Sequence, residues 1–419
     1  MKFFRKIHLW LSVPFGVIIT LVCFSGAMLI FEPEVTRAIK SDVYYVSEAD
    51  GQPLPIGELM ETVKATLPDS VSITGVTVFA DKTRTYQVSL SAPRRASLFV
   101  DQYSGEITGR YERIGFFSTM FKLHRWLLDS ANPHGDGLKV GKLLVGISTL
   151  VFVIALISGV VIWWPRARKK LGRSLSIPFN KGWKGFFKGL HVAGGMYALL
   201  FVLAMSLTGL TWSFDWYRTG FYAVCGVEHT PRNAGQAKPK GEEKERGGRH
   251  GNDGNRQRGE ANGGGHREGR RAEGDFHREG GFHSEGKGEG RRSGGRRHSE
   301  FGRWQQVYET LKLQNPDAPQ ITIGAETATV NLGVSGNGRA SDRYEFNRRS
   351  GEVSLTTKYA DANEADKLRG WIYSIHTGSL GGMFTRILWL LGALLGATLP
   401  LTGYYIWIKH LRKKKEHTH

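Results

Sequence analysis

Four long apolar runs dominate the pattern of hydrophobic and polar positions along the chain. They cover Ile7–Phe31, Val140–Trp164, His191–Phe214 and Ile387–Ile408. Each exceeds the roughly 20 residues that a helix needs to cross a hydrocarbon core about 30 Å thick. A buried core helix would explain one such run, but four in one chain predict four transmembrane helices. The first run is longer than the apolar part of a signal peptide, so we expect it to remain as an anchor.

Lysine and arginine are concentrated beside these spans at the N-terminus, in residues 165–190 and in the C-terminal tail, and residues 165–190 contain no acidic residue. The positive-inside rule therefore predicts that all three segments, and both termini, are cytoplasmic. Because much of the formal net charge of +19 is a topology signal, we expect a lipid bilayer and no nucleic acid as a partner. The two cysteines exclude a disulfide scaffold and a four-thiolate metal site.

The chain repeats a unit made of a span, a polar region and a second span. In each copy, two β-prone runs flank a Ser-Gly-Glu turn, at 104–106 and at 350–352. An inward span follows each polar region. The predicted fold class is therefore membrane α-helical, with four transmembrane helices as two parallel repeats about an axis along the membrane normal, each with a small external α+β module.

A tract rich in glycine and charged residues interrupts the second copy and predicts disorder, because it has almost no large apolar side chains to bury. Its five histidines leave weak binding of a divalent metal open, although a solvated spacer is the simpler interpretation.

The predicted boundaries follow the repeated unit. The first copy consists of a first span at 1–31, an external module at 32–123 and a periplasmic helix with the second span at 124–166, and a basic cytoplasmic loop follows at 167–190. The second copy consists of the third span at 191–214, an external segment at 215–232, the disordered insert at 233–303, a second external module at 304–375 and a periplasmic helix with the fourth span at 376–408. A cytoplasmic tail follows at 409–419.

Four histidines occupy equivalent positions in the two copies and are the candidate site residues. His8 and His191 lie at the cytoplasmic ends of the outward spans, whereas His124 and His376 lie on the external side, before the inward spans. Under twofold pseudosymmetry each pair faces across the axis. Two imidazoles on opposite sides of a flat ring are what six-coordinate haem iron needs, so the pairs predict two haem sites with these residues as axial ligands. A tetrahedral zinc site would need four ligands together.

Three further histidines, His134, His229 and His410, have no counterpart in the other copy. His134 is the rival ligand on the external side, because it follows His124 by only ten residues.

Four glycines stand near these histidines. Gly26 and Gly209 lie 18 residues beyond the first histidine of their copy, about 27 Å along a helix and hence near the external pair. Gly159 and Gly403 lie at the inner ends of the inward spans, near the internal pair. Glycine allows a wide planar ligand to approach the backbone. Closer packing between helices is the alternative explanation.

The histidine, span and Ser/Thr-Gly units, together with the stretches His8-Leu9-Trp10-Leu11, Leu123-His124-Arg125-Trp126 and Ser158-Gly159-Val160-Val161-Ile162-Trp163-Trp164, resemble the PepSY-associated transmembrane family. These are iron-regulated membrane proteins that include ferrisiderophore reductases. The resemblance covers nearly the whole chain except the glycine-rich insert. It implies two PepSY-like periplasmic modules, two non-covalent b-type haems and electron transfer across the bacterial inner membrane. The second copy departs from this pattern, because His376 is followed by Thr377-Gly378 where the first copy has Arg125-Trp126 after His124.

The leading hypothesis is an inner-membrane di-haem oxidoreductase that reduces a periplasmic ferric chelate, such as a ferrisiderophore, and so releases iron. No nucleotide or flavin fingerprint is visible, so the electron donor is either a cytoplasmic protein or a membrane quinol. A haem-free regulator or sensor that binds a periplasmic partner is the alternative. A transporter fits less well, because no span is interrupted by charges or a Gly/Pro break at mid-depth.

Overall fold

A computed structural model describes residues 2–93, 95–129, 140–228 and 300–416. Most of the insert predicted at 233–303 therefore lies outside the described residues, and so do His134 and His229. The last four residues of that predicted insert already belong to the folded protein. Phe301 is 1% exposed and packs edge-to-face on Trp304 at 4.9 Å between ring centroids. The aromatic pair supplies the apolar surface that the rest of the tract lacks.

The helices and strands follow one another in two similar series. The first series consists of α1 (Lys2–Leu29), α2 (Glu32–Ile39), α3 (Ser41–Tyr44), α4 (Ile56–Ala65), β1 (Ile73–Phe79), β2 (Tyr86–Leu90), β3 (Ser97–Val100), β4 (Ile107–Arg110), α5 (Gly115–Trp126) and α6 (Val140–Ala167). Two short helices follow, α7 (Leu171–Ser174) and α8 (Gly182–Gly189). The second series consists of a π-helical turn (Leu190–Gly194), α9 (Gly195–Ser213), α10 (Asp215–Val224), α11 (Trp304–Gln314), β5 (Gln320–Gly324), β6 (Thr327–Asn331), β7 (Ser341–Phe346), β8 (Val353–Thr357), α12 (Glu364–Thr377) and α13 (Gly382–Glu416), with 3₁₀ turns at Tyr359–Asp361 and Ser379–Gly381.

The four predicted transmembrane helices are confirmed as helices long and apolar enough to cross a membrane: Lys2–Leu29, Val140–Pro165, Gly182–Ser213 and Ser379–Arg412. Helix α1 contacts α6 and α13, and α9 contacts the same two helices. A layer of apolar side chains fills the middle of this bundle, including Ile19, Phe152 and Val202. We call the end at which α1 begins and α13 ends the basic end, and the opposite end, from which the chain leads into the strands, the sheet end.

The eight strands of the described residues form a single antiparallel sheet in the order β4-β3-β2-β1-β5-β6-β7-β8. The two modules expected from the sequence are therefore joined: β1 pairs with β5 from Gly75↔Gly324 to Phe79↔Gln320. Near the middle of this ladder the hydroxyls of Thr77 and Thr322 are hydrogen-bonded at 2.8 Å. The apolar side chains of α4 and α11 share one core with the strands of both halves.

Two predicted boundaries fall inside helices. The limits at 123/124 and 375/376 cut α5 and α12, which each begin before the histidine that they carry. Both helices end shortly after that histidine at a left-handed residue, Leu127 with φ +51° and Gly378 with φ +74°. The left-handed residue stops the helix, so each histidine lies in the last turn of a short helix outside the four candidate spans.

Candidate functional site

The structure brings His8 and His191 together at the basic end. Their ring centroids lie 6.2 Å apart and their planes are inclined by 81°. His8 lies on a regular α-helix, whereas His191 lies in the π-helical turn that precedes α9. Single π-turns are rare and occur often at functional sites.

The structure likewise brings His124 and His376 together at the sheet end. Their ring centroids are 6.1 Å apart, and the interplanar angle is 54°. The indole ring of Trp212 on α9 packs edge-on against His376 at 5.0 Å. The four histidines singled out in the sequence thus form two pairs, one at each end of the helix bundle.

Each histidine of the basic-end pair is held by the neighbouring long helix of its own half. The Nδ1 atom of His8 lies 3.0 Å from the carbonyl oxygen of Ala155 and 3.0 Å from Oγ of Ser158 on α6. The Ser158 hydroxyl donates to the same carbonyl. The second half repeats this arrangement on α13, with the acceptors Leu399 O and Thr402 Oγ1 each 3.0 Å from His191 Nδ1.

The histidines of the sheet-end pair are held by α1 and α9. His376 Nδ1 is 2.9 Å from the carbonyl oxygen of Met205 and 3.2 Å from the Thr208 hydroxyl. His124 Nδ1 is 2.9 Å from the carbonyl oxygen of Val22. Here the corresponding hydroxyl, that of Ser25, donates to the carbonyls of Leu21 and Val22. We call each set of acceptors an imidazole clamp. Every clamp uses the carbonyl three residues before a Ser or Thr, and three of the four also use the hydroxyl.

The clamps determine which ring nitrogen carries the proton. A backbone carbonyl only accepts hydrogen bonds, so Nδ1 must be the protonated nitrogen of a neutral imidazole. Within the described part of the chain, no hydrogen bond engages the Nε2 atoms. Each pair therefore presents two free nitrogen lone pairs, and second-sphere carbonyls of this kind also make an imidazole a more basic ligand.

The four glycines lie against the imidazole rings. A Cβ built on Gly26 would lie 2.8 Å from Cε1 of His124, and one on Gly209 would lie 3.1 Å from Cε1 of His376. At the basic end the corresponding distances are 3.4 Å from Gly403 to His191 and 3.6 Å from Gly159 to His8. At the sheet end, glycine thus allows an imidazole to lie closer to the helix backbone than a Cβ would permit, whereas the basic-end distances are ordinary contacts. A Ser or Thr followed by glycine, which recurs at all four clamps, is the sequence signal of a clamp. No role was predicted for the hydroxyls of Ser158, Thr208 and Thr402.

Burial governs the protonation of the sheet-end pair. Loss of hydration lowers the pKa of His124, and the nearby Arg125 charge lowers it further, whereas the Val22 carbonyl acts in the opposite direction. Loss of hydration, reinforced by the neighbouring His124, lowers the pKa of His376 to about 4. Both imidazoles are accordingly neutral at physiological pH, the state in which imidazole binds metals.

A cavity of about 1340 Å³ lies at the basic end. Both His8 and His191 line it, together with Gly159, Gly403 and His410. The basic-end pair therefore faces enough space for a large ligand, since pockets for drug-sized molecules span about 300–1,000 Å³.

The geometry favours a metal held by two imidazoles over a metal held by a cluster. Within residues 2–93, 95–129, 140–228 and 300–416, no group of three or more His, Cys, Asp or Glu side chains could hold a metal ion. Two metal–imidazole bonds of about 2 Å, plus about 1 Å from each Nε2 to its ring centroid, give a centroid separation of roughly 6 Å. The observed 6.2 and 6.1 Å match this separation, so both pairs fit axial ligation of a haem iron.

The family described as PepSY-associated TM region matches residues 5–410, which is nearly the full chain. No curated protein matches the chain.

Proposed function

Since the chain belongs to the PepSY-associated transmembrane family, we propose that it is an inner-membrane electron-transfer protein that holds two b-type haems and reduces a ferric chelate on the periplasmic side. The observation that carries this proposal is the pair of opposed imidazoles at each end of one helix bundle, with a separation that suits a single iron between them. Reduction of the chelated iron to Fe(II) would weaken its binding and release it, as in ferrisiderophore reductases.

The positions of the two pairs support transfer across a membrane. On α1, His8 and the Val22 carbonyl that holds His124 are 14 residues apart, and on the second half the same interval separates His191 from the Met205 carbonyl. At 1.5 Å per residue this interval corresponds to about 21 Å along the helix. The two sites therefore lie near opposite faces of a hydrocarbon core about 30 Å thick.

The protein's own groups would position and tune the sites. The clamps fix each ring and keep its proton at Nδ1, which leaves Nε2 as the nitrogen able to bind a metal. Haem iron bound there would supply reversible one-electron chemistry. Apolar side chains, including Ile19, Phe152 and Val202, form the core of the helix bundle between the two pairs.

Haem content tests the proposal directly. The purified full-length protein, expressed with excess haem, is expected to contain about two haems per chain, with the absorbance of low-spin bis-imidazole iron after reduction by dithionite. Pyridine haemochrome titration measures the ratio. Protein that folds and purifies without haem would overturn the proposal and favour the haem-free regulator.

The orientation of the chain follows from its charge. We infer that the basic end is cytoplasmic, because the N-terminus, the segment 165–190 and the C-terminal tail are rich in Lys and Arg. Reporter fusions at residues 100, 180 and 340 are expected to indicate the periplasm, the cytoplasm and the periplasm. A periplasmic signal at residue 180 would contradict this orientation and leave the sheet end on the wrong side for a periplasmic chelate.

A further inference from the structure

The cavity at the basic end is lined by an excess of positive charge. Among the described residues that line it, seven are Lys or Arg and none is Asp or Glu; the cations are Arg5, Lys169, Lys170, Arg173, Lys181, Lys184 and Lys188. Within the described residues none of the seven forms an ion pair. A cleft lined by charge of one sign concentrates counter-ions.

These cations converge on the cavity from three separate elements. Arg5 lies on α1, a second group lies around α7, and the third group belongs to α8. Lys181, Lys184 and Lys188 follow the spacing of three and four residues that places side chains on one helical face. All three line the cavity.

The aromatic residues of α8 lie on the rest of its surface. Trp183 is 73% exposed, and Phe187 packs against Tyr405 of α13 at 4.7 Å between ring centroids. Neither residue lines the cavity. Helix α8 thus has an aromatic side and a cationic side, and the cationic side is the one directed to the cavity beside His191.

Neither membrane topology nor haem binding accounts for the whole arrangement. The positive-inside rule explains the sign of the charge in this segment, but it does not require that the charges surround one cavity. A haem at the His8–His191 pair would bring two propionates, which leaves most of the seven cations unpaired. We propose that the basic-end cavity contains a binding site for a phosphate-bearing anion, separate from the iron ligands.

Phosphate fits this site for chemical reasons. It combines concentrated negative charge with several acceptor oxygens, and Lys and Arg are its usual partners. Two sources share this chemistry: the headgroup of an anionic phospholipid and a soluble phosphate compound. Either occupant would lie next to the His8–His191 pair.

The site is tested with the haem-loaded full-length protein in nanodiscs of neutral phosphatidylcholine, so that propionates are already in place. Calorimetric titration with inorganic pyrophosphate is the soluble arm. Exchange into nanodiscs with phosphatidylglycerol, followed by native mass spectrometry of retained lipid, is the lipid arm. We expect saturable binding in at least one arm. Binding of pyrophosphate indicates a soluble phosphate compound, and retention of phosphatidylglycerol indicates a lipid headgroup. We also expect it to weaken at high ionic strength, because salt screens charge. No binding in either arm would overturn the proposal.

Matched variants separate a defined site from general surface charge. Lys181→Gln/Lys184→Gln/Lys188→Gln removes three cavity cations and is expected to weaken binding at least tenfold. Lys2→Gln/Lys6→Gln/Lys409→Gln removes the same charge from positions that do not line the cavity and is expected to change binding less than twofold. Equal weakening by both variants would show that no defined site exists. The absorbance of the haems monitors folding in every variant.

Discussion

The two imidazole pairs use the same hydrogen bond but take it from opposite parts of the bundle. At the basic end the histidines belong to α1 and to the turn before α9, and the clamps belong to α6 and α13. At the sheet end α1 and α9 provide the clamps, while the histidines lie on α5 and α12. Each of the helices α1 and α9 therefore carries or adjoins a histidine at one end and holds another histidine at its other end, so the same two helices position both pairs.

The surroundings of the pairs differ more than the pairs themselves. The basic-end pair faces a large cavity whose cations have no ion-pair partner among the described residues. At the sheet end, Arg386 on α13 forms a two-pronged ion pair with Glu34, and Arg113 pairs with Glu32. Burial by itself would raise the pKa of Glu34, but the bonds and charge of Arg386 lower it overall. The cations of the basic-end cavity thus lack ion-pair partners among the described residues, whereas two arginines at the sheet end are paired with glutamates.

Removal of one histidine from each pair gives the largest expected effect. His8→Ala and His124→Ala should each reduce the haem content from about two to about one per chain, because the remaining imidazole loses its opposite ligand. Both variants should block electron flow from the basic end to a chelate. After chemical reduction and removal of the reductant, only His8→Ala protein should still reduce an added ferric chelate. Haemochrome titration and stopped-flow absorbance measure these outcomes.

His410→Ala is the control for these variants, because His410 lines the cavity but has no partner histidine. It should retain both haems. His134→Ala tests the rival ligand predicted on the external side. If His134→Ala lost a haem while His124→Ala kept both, the assignment of the sheet-end pair would be wrong.

Glycine substitutions compare how tightly the two ends are packed. A Cβ at Gly26 would lie 2.8 Å from the His124 ring, whereas one at Gly159 would lie 3.6 Å from the His8 ring, an ordinary contact distance. Gly26→Ala should therefore displace His124 and leave the sheet-end haem partly occupied or high-spin, while Gly159→Ala should change neither haem. The high-spin absorbance band reports the difference. Equal effects of both variants would show that the glycines act through helix packing and not through the imidazoles.

The hydroxyls of the clamps give the smallest and most specific comparison. Thr402→Val removes an acceptor from His191 Nδ1, but it also removes the hydroxyl that donates to the Leu399 carbonyl. The two changes act on the imidazole in opposite directions, so the midpoint potential of the basic-end haem should shift little. Ser25→Ala removes only a competing donor from the Val22 carbonyl, which then accepts more strongly from His124, so the sheet-end potential should fall. Spectroelectrochemical titration measures both shifts. A larger shift for Thr402→Val than for Ser25→Ala would contradict this account of the clamps.

The sequence predicted the spans and identified the histidines that the structure brings together, because both rest on run length and repeated position. The clamps could not be predicted from those signals. Whether the Thr402 hydroxyl faces His191 depends on the relative rotation of two helices, and hydropathy does not specify it. The π-helical turn at His191 could not be predicted either. His8 and His191 both precede their glycines by 18 residues, so the spacing does not distinguish them, yet only His191 lies in such a turn.

The shared sheet could not be predicted for a different reason. Strands β1 and β5 are each the edge of their own four-stranded meander, and an edge strand offers its free backbone groups to any matching partner. The turn signals at Ser104-Gly105-Glu106 and Ser350-Gly351-Glu352 specify local hairpins. They do not specify that the edge strand β1 pairs with the edge strand β5, because these two strands are far apart in the sequence.

The ladder between β1 and β5 also has a mechanical consequence. It joins the two halves of the chain through five consecutive residue pairs at the sheet end. A carrier that exposes a solute to each side of a membrane in turn works by swinging one half against the other. Here such a swing would have to break the backbone hydrogen bonds of a sheet that continues through both halves. Two halves joined by such a sheet suit electron transfer between fixed sites, because neither the protein nor a solute has to move across the membrane.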